Sequence, residues 1–355
     1  MRVLVCPADD GGSGFYRLLE PCRVLIEQGY EITVDVGATT IMCSWGEGGK
    51  MKGVDELPYE VVVFQRTLTK IYAEAIPFIQ ANGTAVVMEL DDDLWNVDRR
   101  NVAYRDTKPS HSPDRNHDHL ATACQLADLV TVSTPALAKV VPAPHVKVLR
   151  NLIPEWYLSA KISEEANWEV FEERKVVGWT GSPRTHPGDL EVMGGSLVKA
   201  VRDANAVFFS IGSPDTGRIV GFDDGESAFT QWVQLDKYPS AIAGLDVGVV
   251  PLKMTAFNES KSYLKGLEYA ALGVAFVASP TSEYRYLHRL GAGELAAEKH
   301  DWLRSVSRLL RDDDYRAERS YMGKQAAESL TYERESWRWL EAWESAWTNF
   351  EKREL

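Results

Sequence analysis

Between Asp246 and Ser279 the chain alternates in a way that leaves few folds open to it. Val247 to Val250 is an apolar run of strand length, and Pro251 marks the loop after it. A helical period begins near Ser260, Gly273 stops it, and a second apolar strand runs on to Ser279. Inside the helical run Lys261, Lys265 and Glu268 stand at i, i+4 and i+7, so the period predicts that all three share one face. A helix start after a parallel strand offers free N–H groups and partial positive charge, to which the lysines add. The carboxylate of Glu268 can accept hydrogen bonds from vicinal hydroxyls such as those of a ribose. Diphosphate at one end and ribose at the other describe a pocket for a nucleotide-sugar.

The run FNESKSYLKGLEYAALGVAFVAS, from Phe257 to Ser279, resembles the donor-binding signature of GT-B glycosyltransferases, most of all the retaining family 4, or group 1, type. That resemblance implies an α/β chain of two facing Rossmann-like domains with a C-terminal helix crossing back to the first. It implies a nucleoside-diphosphate sugar as co-substrate, with no further cofactor and no bound metal. Glu268 takes the place of the carboxylate that holds the nucleotide ribose. A second glutamate usually sits eight residues earlier; that position is Ser260, and Glu259 stands one residue out of register.

With 355 residues the chain is long enough for two domains, each burying its own core. Apolar content of 45% and charged content of 26% suit a soluble globular protein. A net charge of −13 disfavours non-specific adhesion to nucleic acid or an anionic membrane. Cys6, Cys22, Cys43 and Cys124 form no CxxC and read as reduced thiols of a cytoplasmic protein. No window approaches a membrane span, and the first apolar run is too short for a signal peptide, so a membrane-bound acceptor is met from the cytosol.

Read from its start, the chain opens with a strand from Arg2 to Pro7, a glycine-rich turn from Asp9 to Gly14, and a helical run from Phe15 to Gln28. Bare backbone at Gly12 and Gly14 can approach phosphate, although the spacing is not GxGxxG. The turn resembles the GT-B loop that closes over donor diphosphate and acceptor. Tyr16 and Arg17, on the first helical turn, fall on the acceptor side, where Arg17 adds positive charge. Strands follow at Glu31 to Val34, Glu60 to Gln65 and Thr84 to Leu90. Arg66 leaves the second of these at the edge where open α/β sheets bind ligands, as a phosphate or acceptor contact or as a solvated loop residue.

Asp91, Asp92 and Asp93 leave the third. A metal-binding DxD, as in the GT-A fold, is one reading, and a cleft carboxylate that orients acceptor hydroxyls or acts as base is another. An N-cap with solvent-facing neighbours is a third. The triplet resembles a DDDLW element of related GT-B enzymes, which favours the second and points to Asp92 or Asp93. The polar stretch from Asp98 to His119 holds His111, Asp114, His117, Asp118 and His119, but in no ligand spacing, and reads as a solvated loop over the cleft. The alternation then continues through Leu120–Ala127, Leu129–Ser133, Pro135–Val140 and Val146–Leu149. Asn151 to Pro154 resembles the segment ending the GT-B amino-terminal domain. The boundaries expected are 1–155 for the acceptor domain, 156–174 for a linker, 175–331 for the donor domain and 332–355 for the returning helix.

A second strand–glycine–helix unit opens at Lys175, with the loop from Thr180 to Asp189 and a helix from Leu190. Gly181 and Ser182 fall where backbone meets phosphate. GT-B relatives place a basic residue in this loop against the diphosphate; Arg184 and His186 are the candidates, His186 nearer the register. A neutral histidine donates one hydrogen bond, so Lys261 and Lys265 carry more of the charge. Trp232 to Leu235 falls where such enzymes flank the base. In the tail, Trp339, Trp343 and Trp347 repeat every four residues, a stripe suited to packing on the protein.

Sugar transfer from the nucleotide leaves negative charge on the diphosphate, and Lys261 with Lys265 is placed to stabilise it. Two alternatives stand beside this reading, a metal-dependent transferase using Asp91 to Asp93 and a catalytically silent nucleotide-sugar-binding protein. The acceptor is open: a glycan, a lipid-linked sugar, a protein hydroxyl or a modified DNA base. The acidic balance weighs against DNA.

Overall fold

The computed structural model describes residues 1–107, 116–162, 174–223 and 225–353. Short runs of Val, Ile, Leu and Ala without polar alternation form strands buried on both faces, the requirement of a parallel sheet covered by helices. In the first half the strands are β1 (Val3–Cys6), buried throughout, and β2 (Ile32–Val34), a part-exposed edge, then β3 (Cys43–Trp45) and β4 (Met51–Val54), an antiparallel hairpin. They are followed by β5 (Val61–Gln65), β6 (Ala85–Leu90), β7 (Leu129–Val132) and β8 (Val146–Val148). The hairpin aside, they form a six-stranded parallel sheet in the order β2-β1-β5-β6-β7-β8.

The second half repeats the plan. Strands β9 (Val176–Thr180), β10 (Val207–Ile211), β11 (Ser227–Thr230), β12 (Val247–Val250), β13 (Ala275–Ala278) and β14 (Glu294–Leu295) form a second parallel sheet. Its order is β11-β10-β9-β12-β13-β14. Each sheet reverses its winding once, between β1 and β5 and between β9 and β12. Crossovers leave such a point toward opposite faces, and the carboxyl ends of the strands open a crevice there.

Two expected helices are broken. The run expected from Ser260 is two helices, Ala256–Glu259 and Leu264–Ala271, so Lys261 lies in the bend before the second and not on its face. Contacts to the first half hold the bend: Thr134 Oγ1 donates to the Ser260 carbonyl at 2.8 Å, and Asn151 Nδ2 to Ser262 Oγ at 2.8 Å. Similarly, the run from Phe15 starts as a π-helical turn, Phe15–Leu19, before Glu20–Glu27 continues as α-helix. That wide turn carries Tyr16 and Arg17 into the interior.

The chain crosses between the halves twice, side by side. Ile153 N donates to the Leu330 carbonyl at 3.1 Å and Tyr332 N to the Ile153 carbonyl at 3.0 Å. After the second crossing the helix Trp337–Arg353 returns to the first sheet. Trp339 and Trp343 are buried, Trp339 Nε1 donates to the Arg17 carbonyl at 2.8 Å, and Asn349 Nδ2 to the Asp128 carbonyl at 3.0 Å. Trp347 packs at the margin, as the four-residue stripe implied. Among the described residues no helix is long and apolar enough to cross a membrane. Most of the linker and the stretch holding His111 and Asp114 lie outside the described residues.

Candidate functional site

A cavity of about 370 Å³ lies where the carboxyl edges of the two sheets face each other. The first sheet brings Gly12 and Ser13 after β1 and Asp91 and Asp92 after β6; the second brings the loops after β9 and β12. Both switch points therefore open onto one space.

Two of its cations, Lys261 and Lys265, come from the second half, and Arg17 lines it from the first. Lys265 lies on the first turn of Leu264–Ala271, its Nζ 4.9 Å from the centre of the Trp179 ring. Burial pushes its pKa down to about 8, against the pull of Glu268. Lys261 Nζ stands 4.6 Å from the Phe257 ring centre and 3.3 Å from Asp92 Oδ1, a contact between the halves. Gly181, at φ +147°, gives Lys265 its space: a Cβ there would stand 3.1 Å from Nζ. The Gly181 N–H is already used on the Ile211 carbonyl, so this residue contributes room and not a hydrogen bond to phosphate.

Glu268 is buried at the inner end of the same wall. Tyr16 donates to its Oε1 at 2.6 Å while accepting from Tyr157, 2.6 Å away, and the Tyr238 hydroxyl lies 3.3 Å from Oε2. Burial raises its pKa to about 7, against these donors and Lys265. Near the cavity mouth Trp232 is 56% exposed. Its indole lies over Gly212, where a Cβ would come within 2.9 Å of the ring.

His186 enters the cavity wall as its register suggested, with Nδ1 2.9 Å from Asp189 Oδ2 and its ring edge-on to Trp179. Arg184 does not. It is exposed, off the cavity, and its carbonyl accepts from Val102 N at 3.2 Å. Ser182 lines the wall, as does Gly12, but Gly14 is packed so tightly on the Asp9 carbonyl that a Cβ would overlap it, and it faces away from the cavity.

The acceptor-side residues Tyr16 and Arg17 line the cavity and also tie its frame together. Arg17 is buried, donating from Nε to Glu89 at 2.7 Å and from Nη1 to the Leu149 carbonyl and Asn151 Oδ1 at 2.6 Å, so its charge is matched inside the first half. Tyr16 lines the cavity while its hydroxyl is engaged with Glu268. Arg66 pairs with Asp9 and approaches Asp91 at 3.8 Å, outside the cavity lining. The three aspartates go three ways. Asp91 accepts from Ser13, Asp92 faces the cavity and Lys261, and Asp93 is wholly buried, accepting from the Trp95 and Asn96 N–H groups at 3.1 Å. Asp93 is thus a turn cap, and of the two carboxylates that line the cleft, Asp91 and Asp92, it is Asp92 that faces Lys261. Among the described residues no group of three or more His, Cys, Asp or Glu is placed to hold a metal ion.

Neither Ser260 nor Glu259 lines the cavity. Glu259 instead accepts from Ser282 N at 3.0 Å, at the start of a neighbouring helix. Residues that sequence reasoning passed over include Asp189 and Asn258, linked at 2.6 Å behind the wall. Their signal was position alone, Asp189 closing the loop of His186 and Asn258 opening the Phe257–Ser279 run.

No protein-family model and no curated protein matches the sequence. Solved structures do. HepE of Anabaena, solved with UDP and glucose, superposes with a TM-score of 0.64 at 14% identity over 96% of this chain and 99% of that one. Sucrose-phosphate synthase from Thermosynechococcus elongatus gives 0.62 at 11% identity over 98% and 100%. The trehalose-6-phosphate synthase OtsA gives 0.57 at 10% identity over 80% and 71%. The fold is accordingly GT-B, two facing Rossmann-like halves.

Proposed function

We propose that the protein is a glycosyltransferase that moves a sugar from a nucleoside-diphosphate sugar, a UDP-sugar in the first instance, to an acceptor hydroxyl with retention. The observation that carries this reading is the convergence of Lys261, Lys265 and Glu268 on one cavity between two switch points. Lys261, Lys265 and the start of Leu264–Ala271 take the diphosphate, Glu268 the ribose, and Trp232 a face of the base. HepE, of the same fold, was solved with UDP and with UDP-glucose, which supports this donor class.

In the reaction the bond from the anomeric carbon to the phosphate oxygen breaks and that from the acceptor oxygen forms on the same face. The acceptor proton passes to the leaving phosphate oxygen. Negative charge grows on the diphosphate as the bond lengthens, and cations fixed in advance bind that charge more tightly than they bind the ground state. Asp92, at the acceptor side, orients the incoming hydroxyl. Residues 1–155 act as acceptor domain and 175–331 as donor domain, with 332–355 packed back on the first. The four free cysteines suit the reducing cytoplasm.

Thermal-shift screening of nucleotide-sugars, followed by transfer assays with the tightest, tests the reading. Product of retained anomeric configuration, formed equally well in EDTA, is expected. An inverted product would instead assign Asp92 as base, and loss of transfer in EDTA would overturn metal independence. Binding without turnover against any acceptor would favour the silent binding protein.

A further inference from the structure

Asp189 is 2% exposed and ties together three segments behind the cavity wall. Its Oδ1 accepts from Lys253 N at 2.9 Å and from Asn258 Nδ2 at 2.6 Å, and its Oδ2 lies 2.9 Å from His186 Nδ1. Lys253 and Asn258 belong to the stretch that delivers Lys261, so one carboxylate fixes both the imidazole and the bend carrying a cation. A carboxylate only accepts, so Nδ1 bears the proton and Nε2 is the nitrogen left for a ligand. On a neutral ring that nitrogen presents a lone pair, the wrong sign for a phosphate oxygen.

We propose that Asp189 is a positioning residue that aims His186 at the donor diphosphate and supplies the counter-charge for its imidazolium, so that nucleotide-sugar binding takes up a proton from solvent at Nε2. This rests on the donor assignment above. In the cavity wall the ring faces Lys265 on Leu264–Ala271 and Lys261 in the bend before it. Burial and then these two cations push its pKa down to about 4 against Asp189. Arg100 and Lys253 flank the same loop at Gly188, and Asp92 is turned to Lys261. A diphosphate seated among the lysines matches their charge and adds its own, which reverses the balance at the ring. An arginine in this place would bind phosphate without regard to pH; the Asp189–His186 pair makes donor affinity fall as pH rises.

The test is calorimetry of nucleotide-sugar binding in buffers of differing ionisation heat, with imidazole NMR of His186. UDP-glucose, GDP-mannose, ADP-glucose and dTDP-glucose are screened and the tightest is used, since their diphosphate diesters do not titrate in the range examined. At about pH 6, where Lys265 is already charged, wild type is expected to take up close to one proton more per ligand than H186Q, a difference in which any proton exchanged at Glu268 on the same wall cancels. The wild-type Kd should rise by up to about tenfold per pH unit as pH increases toward 7. H186Q should lose the uptake and the pH slope, H186R should lose both while keeping affinity, and D189N should weaken binding and reduce the uptake. If D189N does not fold, the two His186 variants decide. Equal proton uptake by wild type and H186Q overturns the proposal and leaves the donor site standing. Binding of none of the four overturns both.

Discussion

The Tyr16 hydroxyl and the Glu268 carboxylate meet at 2.6 Å, one from each half of the chain, at the inner end of the cavity. The group assigned to the ribose is therefore also a contact between the two halves. A carboxylate has lone pairs enough for a tyrosine and a sugar hydroxyl, so both roles fit one side chain.

Replacing Glu268 by Ala should chiefly raise the donor KM. Isothermal titration with the preferred nucleotide-sugar checks this; unchanged affinity removes the ribose assignment.

Glu268 also sets a pH dependence of stability. Its folded pKa, about 7, is above the ordinary carboxylate value of 4.5, so its contribution is fully present below about pH 4.5 and is lost as pH rises through 7. E268Q should thus gain on wild type in melting temperature between pH 4.5 and 8. Parallel curves for the two proteins would contradict the raised pKa.

Lys265 is shifted the other way. Free enzyme loses this cation as pH rises through about 8, and kcat/KM should fall with an alkaline limb there. Lys265→Ala should remove the limb and lower turnover a hundredfold or more, since one preorganised group at developing charge contributes about 3 kcal/mol. Circular dichroism of the variant, expected to match wild type, separates chemistry from folding.

Neighbouring aspartates should part company. Asp92→Ala should depress turnover with little change in melting temperature. Asp93→Ala should cost about 1 kcal/mol of stability through the lost cap, with kinetic constants per folded molecule close to wild type. Urea denaturation beside steady-state kinetics on both variants makes the comparison.

Trp232→Ala should weaken donor binding by about 1–3 kcal/mol, the range for a base stacked on an aromatic face. The loss should be equal for the free nucleotide and its sugar ester, because the indole is assigned to the base.

Most of the parallel strands were legible because they are short apolar runs, which need no distant partner to be recognised; β11, Ser-Ala-Phe-Thr, is not such a run and was passed over. Lys265, Glu268 and His186 were legible by spacing from those runs. What the sequence left hidden depends on contacts between distant segments. Nothing local to Ser260 says that Thr134 will claim its carbonyl and break the helix there. Nothing local to Arg17 names Glu89 as its partner, or separates the buried Asp93 from the exposed edge of Asp92. The helix Asp313–Glu328 escaped notice because few of its residues are buried and no apolar stripe announces it.

Because the helix carrying Trp339 and Trp343 covers the sheet over β5, β6 and β7, that part of the first half stays uncovered on one side while the second is being synthesised. The half begun first is completed late, and a nascent chain must keep its open face from sticking until the helix Trp337–Arg353 leaves the ribosome.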